Sequence, residues 1–162
     1  MKIQQAQFLA QQKFNSGNHN SLTIDLLRIY ARREKSLWID QVESFANEFE
    51  QKLSNNQLTP EEHSSFFTWY YINYVAAFKN GRLKSETVIN ASYINFLQST
   101  DNETPVKLYE AYAKEELEMD EAGATQYAAS ANFEVVEDDE KIAESERFYI
   151  WYYITYMAPS NS

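Results

Sequence analysis

The chain has 162 residues and a formal net charge of −10, with three glycines, three prolines and no cysteine. Missing cysteine excludes disulfides and thiolate metal sites, and so little Gly and Pro argues for helices over a strand-and-turn protein. No stretch approaches the roughly 18 apolar residues of a membrane span, and MKIQQAQFLAQQKF lacks the apolar core of a secretory signal, so a cytoplasmic protein without membrane association is expected.

A first helix is predicted over about Ile3 to Phe14, with Ala6, Leu9, Ala10 and Phe14 on one side. Asn15 to Asn20 reads as a loop, and Ser21 or Thr23 as the cap of a second helix carrying Leu26, Leu27, Tyr30 and Leu37. Trp38, Val42, Phe45, Phe49 and Leu53 keep helical spacing, which places a third helix over about Leu37 to Leu53, after a kink or a break. Thr59-Pro60-Glu61-Glu62 is a capping box that opens an aromatic helix running to about Phe78, and Asn80-Gly81 supplies a backbone able to take positive φ at its end. Further helices are expected over Ser85 to Leu97, Pro105 to Met119 and Ala122 to Asn132. Phe133 to Val136 favours extended backbone, and a last helix is capped by Asp138 or Asp139.

This order repeats. Phe66 to Ala76 (FFTWYYINYVA) recurs as Phe148 to Ala158 (FYIWYYITYMA), an offset of 82 residues. At the same offset Leu26 meets Leu108, Tyr30 meets Tyr112, Ala31 meets Ala113, Glu34 meets Glu116, Phe14 meets Phe96 and Lys2 meets Lys84. The expected fold is therefore all-α: a helical bundle of two tandem copies, residues 1–80 and 81–162, each of three to four helices, forming one compact unit. The two aromatic helices are apolar nearly all round, so they are expected at its centre and close to each other. Their rings read as packing and not as a base-stacking surface, because neither helix interior carries Lys or Arg.

The copies differ in charge. Residues 1–80 hold eight basic and eight acidic residues, whereas residues 81–162 hold six basic and sixteen acidic. One acidic cluster is Glu110, Glu115, Glu116, Glu118, Asp120 and Glu121. The other is Glu134, Glu137, Asp138, Asp139, Glu140, Glu144 and Glu146. Glu110 and Glu115 stand where the first copy has Arg28 and Arg33. Piling like charge on one half costs self-repulsion, which a basic partner would offset. Glu110, Glu115, Glu118, Asp120, Glu121, Glu134, Glu137, Asp138, Asp139 and Glu140 are accordingly the candidate partner-binding residues.

Other chemistry finds little support. His19 and His63 lack the Glu-x-x-His spacing of a helical metal site, and no nucleophile–base order or phosphate-binding loop is present, so no metal, cofactor or catalytic residue is assigned. Arg28, Arg32, Arg33 and Lys35 form a patch too thin for nucleic acid on an acidic protein. It would make salt bridges on its own surface or meet the acidic helix of a second copy in a homodimer. In size and charge the chain resembles bacterial or phage inhibitors that occupy the basic surface of a nucleic-acid-binding protein: DNA mimics, anti-CRISPR proteins and immunity proteins to nuclease toxins. That resemblance implies a non-catalytic inhibitor with a basic protein partner and no direct contact with nucleic acid. The alternative is a helical scaffold that oligomerises and binds through apolar grooves.

Overall fold

The structure is a computed structural model that describes residues 1–17, 23–77, 79–99, 104–134 and 139–158, with Thr104, Asp139 and Glu140 described by their backbone alone. Among these residues all regular structure is helical, and there is no strand. The α-helices are α1 (Ile3–Asn15), α2 (Thr23–Arg33), α3 (Ile39–Ser54), α4 (Pro60–Tyr70), α5 (Ser85–Ser99), α6 (Thr104–Glu115), α7 (Glu121–Ser130) and α8 (Asp139–Tyr152). The chain divides into two compact units, Gln4–Ser85 and Met1–Ile3 with Glu86–Asn161.

Local chemistry accounts for several boundaries. Thr59 accepts from the Glu62 amide at 3.1 Å while Glu62 accepts from the Thr59 amide at 3.0 Å, so both orphan donors at the start of α4 are satisfied. The second and third helices are broken, not kinked: Ser36, between α2 and α3, has φ +54°. Asn80 and Gly81 take positive φ, as their residue types predict. Phe78, Ser21, Val135, Val136, Glu137 and Asp138 lie outside the described residues, and with them the ends and caps expected there.

The aromatic helices depart from expectation in one respect. Both change winding: α4 continues as a π-helical turn over Tyr71–Ala76, and α8 continues as another over Tyr153–Met157. Residues Phe66 to Tyr74 and Phe148 to Ile154 are buried throughout, as an all-round apolar helix requires.

In the unit Gln4–Ser85, Phe66 is the hub of the core. Its ring meets Tyr30 at 5.0 Å and Phe14 at 5.5 Å, both near-perpendicular, and Phe49 at 5.4 Å. In the other unit Phe148 is the hub, meeting Tyr112 at 5.3 Å and Phe96 at 5.6 Å, again near-perpendicular, and Phe133 at 4.9 Å. Edge-to-face pairs of this kind add about 0.5–1.5 kcal/mol each beyond burial of the rings. Several buried hydroxyls have partners: Tyr149 donates to the Phe133 carbonyl at 2.6 Å, and Tyr152 to Asn95 at 2.6 Å. The hydroxyls of Tyr30 and Tyr112 and the indole N–H of Trp69 are buried without one among the described residues.

Candidate functional site

Each unit contains a polar groove that holds a three-residue segment ending on the first residue of a helix. In the first unit, α2 ends in a tight reversal: the amides of Glu34 and Lys35 donate to the Tyr30 carbonyl at 2.9 and 3.2 Å, and that of Leu37 donates to Ala31 at 3.1 Å. This reversal is one residue wider than a Schellman ending, and its left-handed position is Ser36, not the usual glycine. The second unit ends α6 in the same way. Glu116 and Leu117 donate to Tyr112 at 2.8 and 3.3 Å, Met119 donates to Ala113 at 3.0 Å, and Glu118 takes the left-handed position at φ +57°. A left-handed residue with a Cβ costs of order 1–2 kcal/mol, so neither turn is chosen by local preference.

The opposite wall comes from the π-helical turns. Asn73, fully buried, clamps Leu83 from both sides: it accepts from the Leu83 amide at 2.9 Å and donates to its carbonyl at 3.0 Å. Thr155 occupies the same place in the other turn, accepting from the Met1 amine at 3.1 Å and donating to the Met1 carbonyl at 3.5 Å.

Between these walls lie Leu83-Lys84-Ser85 in the first unit and Met1-Lys2-Ile3 in the second. The Ser85 amide donates to Glu34 at 2.7 Å, and the Ile3 amide to Glu116 at 2.6 Å. Lys84 donates to Ser36 Oγ at 2.7 Å, and Lys2 pairs with Glu118. The ammonium of Lys2 holds the Glu118 carboxyl below the usual carboxylate range. Glu116 also receives Arg147 at 3.3 Å, with its side chain only 2% exposed. Glu115 receives the Met1 amine and the indole N–H of Trp151, the latter at 3.1 Å.

The candidate partner-binding residues therefore separate by role. Glu115 and Glu118 belong to the groove. Asp120 caps α7, accepting from the Gly123 amide at 2.7 Å, so its carboxylate is committed to the helix. Glu110 and Glu121 lie on α6 and at the start of α7 with no ion pair among the described residues, Glu110 half-buried and Glu121 exposed. Glu134 lies in the irregular segment after α7, and its carbonyl accepts from Tyr93. Asp139 and Glu140 open α8 by their backbone, while Glu137 and Asp138 lie outside the described residues. Of the cationic set, Arg28 forms salt bridges with Asp25 and with Glu43, the latter at 2.6 Å. That guanidinium holds the Glu43 carboxyl low.

Residue pattern missed the groove's central acceptors, Glu34 and Glu116, and the clamps Asn73 and Thr155. The signal was present: Glu34 recurs at Glu116 and Lys84 at Lys2, at one offset. Nothing in helical periodicity says that a carboxylate just past a helix end accepts a backbone amide from elsewhere in the chain.

Among the described residues no three His, Asp or Glu converge as metal ligands, and no helix is long and apolar enough to cross a membrane. The chain matches no protein-family model, no curated protein and no solved structure.

Proposed function

We propose that this is a non-catalytic, acidic protein-binding inhibitor that occupies the basic surface of a nucleic-acid-binding protein or nuclease, in the manner of DNA-mimic, immunity or anti-CRISPR proteins. It would work in the cytoplasm, on a scaffold of two tandem copies of one helical unit of roughly 80 residues with the aromatic helices central. The observation that carries the reading is the division of charge. Gln4–Ser85 holds nine basic and eight acidic residues, and the unit of Met1–Ile3 with Glu86–Asn161 holds five basic and sixteen acidic. The paired contacts of the two grooves, and the paired rings around Phe66 and Phe148, support the duplication on which the comparison rests. A scaffold kept constant while one half becomes strongly anionic is what selection for a basic partner would leave, and the field of such a surface speeds encounter.

The test is capture of partners from cell lysate at about 50 mM and about 500 mM salt, where screening lengths differ several-fold. Capture should be strong at low salt and lost at high salt. It should also fall when Glu110, Glu121 and Glu146 are changed to Gln, since these carboxylates have no ion pair among the described residues. Capture indifferent to salt and to these changes would refute the reading. A scaffold that binds through apolar contact is the second reading, favoured by Trp38 and Ile39, which are 78% and 75% exposed beside one another at the start of α3. Under that reading Trp38→Ala abolishes capture and the Gln variants do not.

A further inference from the structure

We infer that the first unit carries a binding pocket for a small phenol, at the place where the second unit keeps a phenol ring of its own. The inference stands apart from the proposed function. It concerns an uncharged ligand and the unit whose charges nearly balance.

The pocket is lined from α1, α3, α4 and the loop before α4, all within Gln4–Ser85. Phe67 and His63 supply rings, Leu53 and Leu58 supply methyl groups, and Gln11 and Asn56 supply amides. Its volume is about 160 Å³. A cavity of about 150 Å³ with aliphatic and aromatic walls takes one benzene ring, so the space matches a single ring.

The second unit shows what kind of group the place accepts. At the offset of 82 residues, Gln11 matches Tyr93, Phe67 matches Tyr149 and His63 matches Ser145. The surrounding rings keep their geometry. Phe14 meets Phe67 at 5.9 Å and 82°, and Phe96 meets Tyr149 at 5.8 Å and 78°. Phe66 and Phe67 lie 5.0 Å apart at 75°, and Phe148 and Tyr149 lie 5.1 Å apart at 75°. Onto this common frame Tyr93 sets its ring edge-on to Tyr149, at 5.4 Å and 90°, and donates its hydroxyl to the Glu134 carbonyl. Gln11 brings no ring to the matching place beside Phe67. His63, larger than the buried Ser145, takes part of the space with its ring 4.6 Å from that of Phe67, and the pocket is what remains.

The polar side of the pocket suits a hydroxyl. The side chains of Gln11, Asn56 and His63 have no hydrogen bond among the described residues, so they are open to a ligand. A phenol brings what Tyr93 brings in the other unit, a ring against an aromatic neighbour and a hydroxyl for a polar group.

The test titrates the full chain with 4-methylphenol, the tyrosine side chain detached from its backbone. The readout is the methyl NMR signals of Leu53 and Leu58, with nuclear Overhauser contacts from the ligand ring to locate it. A saturable shift is expected, with a Kd of about 1 mM for so small a ligand. Toluene, which lacks the hydroxyl, should bind about threefold more weakly or worse. Gln11→Tyr gives the first unit the ring of the second. It should abolish the shift and raise the urea midpoint, since filling a cavity stabilises.

A wild-type chain that shows no saturable shift overturns the proposal. So does toluene binding as tightly as 4-methylphenol, or a folded Gln11→Tyr that still binds. If Gln11→Tyr does not fold, the contacts of the ligand ring in wild type decide alone: found on Leu53 and Leu58 they sustain the site, and absent there they remove it.

Discussion

The two units solve the same packing problem with different third helices. In the first, α3 has 16 residues and brings Val42, Ala46 and Phe49 into the core. In the second, α7 has 10 residues, buries only Ala124 and Ala128, and stops at Ser130. The missing ring comes instead from Phe133 in the irregular segment beyond, stacked on Phe148 at 4.9 Å and fixed by its amide donating to Tyr109 at 3.1 Å and its carbonyl accepting from Tyr149. A core hub surrounded by edge-on rings is thus indifferent to whether its last neighbour arrives on a helix or on an irregular segment, provided the backbone polar groups find partners. A second contrast concerns the buried tryptophans. Trp151 donates to Glu115, whereas Trp69 has no acceptor among the described residues, and the residue in the matching position is Arg33, whose side chain can only donate.

The comparison is best broken at the hubs. Phe66→Ala and Phe148→Ala should each cost about 3–5 kcal/mol, the range for deleting a large core aromatic. Urea unfolding checks this, followed by the NMR signals of the indole N–H groups: Trp69 reports on the first unit and Trp151 on the second. Equal costs in both would show that helix and irregular segment support the hub equally well.

Gly81→Ala should come next, at about 2–4 kcal/mol from overpacking plus left-handed strain. Gly81 has φ +75°, and a Cβ there would stand 2.5 Å from Ile29 Cγ2 and 2.9 Å from Trp69 Cζ2. The loss should appear in the Trp69 signal and leave that of Trp151 unchanged.

Glu116→Ala should cost about 2–3 kcal/mol, because a buried, charge-assisted acceptor is lost and Arg147 loses its partner. Glu34→Ala removes a more exposed acceptor and should cost about 1–2 kcal/mol. The reverse order would mean that burial does not set the strength of these contacts.

The smallest effect should have the opposite sign. Tyr112→Phe deletes a buried hydroxyl without a partner among the described residues and should be neutral or stabilising by up to about 1 kcal/mol. The same change bears on alkaline stability. Burial pushes the Tyr112 phenol up to about 12, above its ordinary value of 10.0, so the folded state holds the proton longer than the unfolded chain does. The contribution is fully present below pH 10 and is lost as pH rises from 10 through about 12. Urea midpoints should therefore fall over that window, and less steeply in Tyr112→Phe.

How much of this was legible beforehand differs by feature. The all-helical class, the capping box at Thr59, the positive φ at Asn80-Gly81 and the burial of the aromatic helices all follow from residue type and spacing. These properties are local: a cap, a turn or an apolar face is decided within about four residues. The acidic cluster was visible too, as composition. Which of its carboxylates are committed was not: Asp120 went to a helix cap, and Glu115 and Glu118 to holding Met1 and Lys2.

Neither the π-helical ends of the aromatic helices nor the grooves they help to build could be read from periodicity. A π turn inserts one residue into a helix without altering its composition, and a left-handed Ser36 or Glu118 goes against local preference. The sequence alone thus determined which residues are helical, which are buried and where the charge lies, since short-range sterics and hydrophobicity decide those. Only the tertiary structure brought Lys2 to Glu118 and Ile3 to Glu116, across more than a hundred residues of chain, because such meetings depend on how whole helices pack and leave no local trace.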